Sequence, residues 1–144
     1  MTLTVIRPVV PDDIEIFYQQ QLDEEACRMA NFPSRSREAV LSHWANIMRN
    51  PNLYNRTIEH NGEVAGNVLC YPLDDMMQVG YWLGRSFWGK GIATQALRLA
   101  LAEITHRPLH AYVALQNIGS QRVLIKCGFV QCGVEGDELL FRLD

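Results

Sequence analysis

The chain has 144 residues, 48% of them apolar and 20% charged, the balance of one globular domain with its own core. Its formal net charge is -3, so neither nucleic acid nor an anionic membrane is expected as the main partner. No apolar run approaches the ~20 residues of a membrane span, and "MTLTVIRPVVPDD" lacks the basic-then-apolar order of a signal peptide, so a cytoplasmic location is expected.

Taken in order, Thr2 to Pro8 alternates weakly and reads as a strand. In the helix that follows, Pro11 suits the first turn, Asp12 and Asp13 complement its positive end, and Ile14, Phe17 and Leu22 share a face. A second helix is expected from about Arg35 to Arg49, capped by Ser34, buried through Val40, Trp44, Ile47 and Met48, and stopped by Pro51. "LYNRTIEH", the Asn61-Gly62 turn and "EVAGNVLCY" read as a β-hairpin. After a break at Pro72–Asp75, a strand over 77–83 puts Met77, Val79, Tyr81 and Leu83 on one face. Ile92, Ala96, Leu97, Ala100, Leu101 and Ile104 then recur at helical spacing over 91–105. A strand over 109–115 faces inward through Leu109, Ala111, Val113 and Leu115, and a short helix over 117–127 ends at Gly128. "FVQCG" and "ELLFRL" close the chain as strands. The order β-α-α-β-β-β-α-β-α-β-β predicts one mixed α/β sheet with helices on both faces, a single domain over 1–144.

The four cysteines form no CxxC pair and read as buried free thiols; the four histidines are scattered, and no metal site is expected. Arg35 and Arg37 read as a solvated helix face, with a clamp for an acidic substrate as the alternative. Trp44, Trp82 and Trp88 read as core or pocket lining, and Lys126 as a helix-end cation or a phosphate ligand.

Chemistry concentrates at "GRSFWGKGIAT", Gly84 to Thr94, between a strand and a helix. Glycines at such a turn let backbone N–H groups approach phosphate oxygens at the positive end of the helix. Gly84 to Lys90 nearly spells the P-loop of nucleotide hydrolases, but Gly91 stands where that loop needs a hydroxyl for Mg²⁺. A second cluster, "NIGSQRVLIKCGF", sets Asn117 and Ser120 side by side at the start of the next helix, where either can also act as a cap.

The two stretches together resemble the GNAT superfamily of acyl-CoA-dependent N-acetyltransferases, most of all the branch that acetylates protein N-termini, including those of ribosomal proteins. Ser86 to Gly91 fits the family's Gln/Arg-x-x-Gly-x-Gly/Ala loop except at Ser86, and the opening "IRPVVPDDIEIFY" and closing "KCGF" fit as well. The resemblance implies a mostly antiparallel central sheet splayed at two parallel strands. It implies acetyl-CoA as co-substrate, without a metal, at Leu83, Phe87, Trp88, Gly89, Lys90, Gly91, Ile92, Ala93, Thr94 and Asn117. Pantetheine would pair with the strand edge near Leu83, and the pyrophosphate would rest on N–H groups of the glycine turn. A primary amine, from a peptide N-terminus or a small molecule, would attack the acetyl group directly in a ternary complex, in a monomer or homodimer. Ser120 is the catalytic candidate, protonating or hydrogen-bonding the departing thiolate.

Two family positions differ. Where many members have a Glu base this chain has Gln78, and where many have an acidic Tyr it has Leu124. Asp74, Asp75 and Glu135 remain as base candidates beside water-mediated deprotonation. The missing groups open an alternative, a catalytically weak acyl-CoA-binding regulatory module of the same fold.

Overall fold

The computed structural model describes residues 3–144. Seven strands form one sheet in the order β1-β2-β3-β4-β5-β7-β6. They are β1 Thr4–Arg7, β2 Tyr54–His60, β3 Glu63–Leu73, β4 Met76–Leu83, β5 Leu109–Ala114, β6 Val130–Glu135 and β7 Glu138–Leu143. Thr2, the expected start of the first strand, lies outside the described residues. Every neighbouring pair is antiparallel except β4 and β5.

Local turn chemistry sets this order. Asn61 and Gly62 both have positive φ, as a two-residue hairpin turn requires, and Asp74 and Asp75 do the same between β3 and β4. β3 runs two residues beyond the expected Tyr71, through Pro72. Pro72 is tolerated because β2 pairs with β3 only as far as Cys70, so its missing N–H faces no partner strand.

Helices α4 (Ile92–Glu103) and α5 (Ile118–Lys126) cover one face of the sheet, α1 (Pro11–Gln20) and α3 (Arg37–Arg49) the other. Alternation along β3 shows the division: Val68 and Cys70 enter the larger core with Ala96, Leu97 and Ala100, while Leu69 packs on Phe17, Val40 and Trp44. The mixed α/β architecture with helices on both faces is as the sequence implies.

Some details differ. An additional helix, α2 (Glu24–Ala30), follows α1, capped by the Asp23 carboxylate on the N–H groups of Glu25 and Ala26. Ser36, not Ser34, caps α3. Leu22 and Met48 are exposed at 43% and 38%, because one follows the last turn of α1 and the other sits past the buried stripe of α3. All four cysteines are free, but only Cys70 is buried and Cys132 on β6 is exposed.

Asp13 does more than complement a helix end. It is 2% exposed and accepts from both Arg7 Nη groups at 2.8 and 2.9 Å, from the Val10 N–H at 2.9 Å and from the Thr57 hydroxyl at 2.7 Å. One carboxylate thereby joins β1, α1 and β2. Burial pushes its pKa up, but the hydrogen bonds from Arg7, Val10 and Thr57 and the Arg7 charge outweigh that and hold it below the ordinary carboxylate value. A folded-state pKa below the unfolded value stabilises the protein fully above about pH 4, and that stability is lost as pH falls through the folded value. Asp13→Ala is expected to cost about 3 kcal/mol in urea unfolding at pH 7, because the Val10 N–H and the Thr57 hydroxyl lose their acceptor and Arg7 keeps only Glu59 as a carboxylate partner. Asp13→Asn is expected to flatten the fall in stability below pH 4; a pH profile as steep as the parent's would overturn the assignment.

Candidate active site

β4 and β5 pair at only two positions, Met77 with Leu109 and Gln78 with His110, and then part. β4 continues its pairing with β3 as far as Leu83, while β5 continues with β7. The parting leaves one edge of β4 open from Val79 onward.

A cavity of about 430 Å³ occupies the opening, and its volume suits a small organic ligand. Leu83, Phe87, Trp88, Gly89 and Gly91 line it, as do Ile92, Ala93 and Thr94 at the start of α4. Asn117 and Ser120 close the side formed by α5. Of the expected ligand-binding residues only Lys90 does not line it; its side chain is exposed.

The glycine turn has the geometry of an anion cradle. Gly89 and Gly91 have φ of +72° and +77°, and a Cβ added at either would meet nothing within 4 Å. The first hydrogen bond of α4 runs from the Gln95 N–H to the Gly91 carbonyl, so the N–H groups of Ile92, Ala93 and Thr94 have no acceptor within the helix. Open space, free donors and the helix dipole coincide, and Arg122 and Lys126 add positive charge on the facing helix. These features fit the phosphates of a nucleotide. No carboxylate lines this cavity among the described residues.

Asn117 serves as the cap of α5, its Oδ1 accepting from the Ser120 N–H at 3.2 Å, and it also lines the cavity. The Ser120 hydroxyl lies 2.8 Å from the Tyr81 hydroxyl. Burial pushes the Tyr81 phenol up to about 12 against the lowering effect of this hydrogen bond, so it stays protonated at neutral pH. The Leu83 carbonyl accepts from the Trp88 indole at 3.1 Å, so the unengaged part of the β4 edge lies before Leu83.

The sequence reading did not select Tyr81, Arg122 or the α2 residues Ala26, Met29 and Ala30 as site residues, yet all line the cavity. Alternation put Tyr81 on the core face, and it does pack there, but alternation does not reveal where two strands separate. Asp23 followed by Glu24 and Glu25, with Asn31 closing the segment, was a readable signal for α2.

A second cavity of about 450 Å³ lies against β3, β4 and α3 and shares Tyr81 and Trp82 with the first. Consecutive strand residues point to opposite faces, so the two cavities meet across β4 at the parting of the sheet. Asp74 and Asp75 are excluded from this junction. They lie six residues of strand from Tyr81, roughly 20 Å at about 3.3 Å per residue, and line neither cavity. Glu135, on β6 beyond β7, lines neither cavity as well. Gln78 is 2% exposed and cannot accept a proton at neutral pH.

Residues 4–130 match the acetyltransferase (GNAT) domain family. YdaF of Bacillus subtilis, provisionally named a ribosomal N-acetyltransferase, is 28% identical over 93% of this chain and 81% of its own. RimL, a ribosomal alpha-N-protein acetyltransferase solved in complex with coenzyme A, superposes with TM-score 0.80 at 20% identity over 97% of this chain and 93% of its own. A spermidine N-acetyltransferase from Vibrio cholerae, solved with CoA and spermine, superposes with TM-score 0.81 at 14% identity over 96% and 92%. At these identities the two superpositions speak for the fold.

Proposed function

The chain belongs to the GNAT acetyltransferase family, and on that premise we propose that residues 1–144 form one cytoplasmic N-acetyltransferase domain that moves an acetyl group from acetyl-CoA to a primary amine, a peptide N-terminus or a small molecule. The observation that carries the proposal is the pair of cavities meeting at Tyr81 and Trp82 where β4 and β5 part. Two substrates held there at once can react directly.

Acetyl-CoA supplies an acetyl group activated as a thioester. The glycine turn and the first N–H groups of α4 hold its phosphates, and the open edge of β4 aligns the pantetheine. A backbone N–H of β4 stabilises negative charge on the carbonyl oxygen as the amine attacks. The C–N bond forms, the C–S bond breaks, the amine gives up a proton and the thiolate gains one. The two hydroxyls of Tyr81 and Ser120 lie 2.8 Å apart, and with Tyr81 as the donor of the pair the Ser120 hydrogen is free to meet the thiolate. No carboxylate lines either cavity among the described residues, so the amine proton passes to water or to the neutral imidazole of His43, which lines the second cavity.

A thiol-release assay with acetyl-CoA and a broad amine panel tests the reading. Saturable turnover with at least one amine is expected. CoA binding without turnover on any amine would instead favour an acyl-CoA-binding regulatory module. Ser120→Ala is expected to lower kcat about 100-fold with little change in KM for acetyl-CoA, the low end for a lost general acid because a thiol leaves readily near its pKa of about 8.5. Tyr81→Phe is expected to lower kcat about 10-fold by freeing the Ser120 hydroxyl to rotate. A Ser120→Ala enzyme within twofold of the parent would remove the serine from the mechanism.

A further inference from the structure

We propose that the acceptor is a primary amine that also carries a carboxylate, and that Arg35 selects it. The inference rests on the acetyl-transfer reading and concerns the second cavity, beside β4 and α3. The cavity is unevenly supplied with hydrogen-bonding groups. Arg35 Nε, Trp44 Nε1 and Asn67 Nδ2 are buried and without a hydrogen-bond partner, and each belongs to a residue lining the cavity. Trp44 and Asn67 are 1% and 4% exposed, so bulk water does not serve them. Against these three donors stands one unpartnered acceptor, Gln21 Oε1. Guanidinium and indole nitrogens only donate, so the excess of donors cannot be reversed by turning the groups over.

The charge has the same sign. Arg35 is the one lining residue that is always charged, and no Asp or Glu lines the cavity among the described residues. The Arg35 guanidinium sits over the Phe32 ring at 5.2 Å, and Phe32 meets Trp82 edge-on at 5.9 Å. That contact chain fixes the cation close to the residues the two cavities share. Partial burial and the Arg35 charge lower the pKa of His43, so its imidazole is neutral at pH 7 and leaves the positive field to Arg35.

A polycation would enter this cavity against like charge and would find no carboxylate among its described lining residues. A carboxylate would take the Arg35 and Trp44 donors, and the uncharged end of the same molecule would lie toward Tyr81 and Trp82. The positive cavity also favours the unprotonated form of the incoming amine, a real aid in a site without a carboxylate base.

The test uses matched acceptors of similar size, β-alanine against its carboxamide and an Asp-headed dipeptide against its Asn-headed counterpart, with acetyl-CoA and thiol release. The parent is expected to show at least about 10-fold higher kcat/KM for the carboxylate of each pair. Arg35→Gln is expected to reduce that preference to within about twofold, Arg35→Lys to recover part of it, and both to bind CoA as the parent does. Equal rates on carboxylate and amide in the parent, or a preference that survives Arg35→Gln, would overturn the selectivity and leave acetyl transfer standing. Turnover of no amine would sink acetyl transfer itself. Titration of the CoA-loaded protein with N-acetyl-β-alanine and its amide, read by tryptophan emission, then decides the selectivity alone: binding of only the anion, lost in Arg35→Gln, supports it, and equal or absent binding overturns it.

Discussion

Gly91→Val is expected to weaken coenzyme A binding by about 100-fold while the protein still folds. Gly91 precedes the first residue of α4 with φ of +77°, and nothing lies within 4 Å of a Cβ added there. The new Cβ therefore meets no protein atom beyond its chain neighbours. It costs roughly 1–2 kcal/mol of backbone strain, since a branched residue resists the left-handed region. Its methyl groups fill the space before the free N–H groups of Ile92, Ala93 and Thr94, where phosphate oxygens would approach. Losing that approach at about 1.4 kcal/mol per tenfold amounts to roughly 3 kcal/mol of binding. Calorimetric titration with CoA and a thermal melt separate the two effects. Parent-like affinity in a folded variant would move the phosphate site away from this turn.

Gly66→Ala is expected to have the largest effect on stability, about 3 kcal/mol or more. Gly66 lies opposite Leu83 in the β3–β4 register. A Cβ there would stand 1.9 Å from the Trp82 carbonyl oxygen, 2.9 Å from its carbon and 3.0 Å from the Leu83 Cα. These are backbone atoms and cannot rotate away, so β4 itself must yield. The displaced residues are Trp82, shared by the two cavities, and Leu83, which lines the first, so catalysis is expected to fall along with stability. Urea unfolding of the variant within about 1 kcal/mol of the parent would show that the strands can separate at little cost.

These glycines show what a sequence displays and what it hides. The glycine turn at Gly89 and Gly91 is legible because a turn between a strand and a helix is local, and the same holds for the Asn61-Gly62 hairpin and the buried stripe of α4. The role of Gly66 was not legible, because its constraint comes from a strand sixteen residues on, brought near only by pairing. Tyr81 was assigned to the correct face, but its meeting with Ser120 depends on β4 and β5 parting, which no periodicity records. Asp74 and Asp75 were offered as bases from residue type alone; the length of β4 between them and Tyr81 argues against both. For Arg35 the sequence offers a solvated helix face or a clamp for an acidic substrate without deciding between them, and its surroundings in the fold are Phe32 and a cavity wall.

The two-residue junction between β4 and β5 has a consequence for the cohesion of the molecule. Here the sheet is nearly two leaves, a four-stranded one ending at β4 and a three-stranded one beginning at β5, held at one end and backed on one side by α4 and α5. A ligand lying along the open edge takes the place of an absent strand. Its binding energy is then also energy of closure between the leaves. At a free concentration 100 times its Kd, coenzyme A would add about 2.7 kcal/mol to the stability of the fold. The enzyme's resistance to unfolding would in that case follow the supply of its own co-substrate.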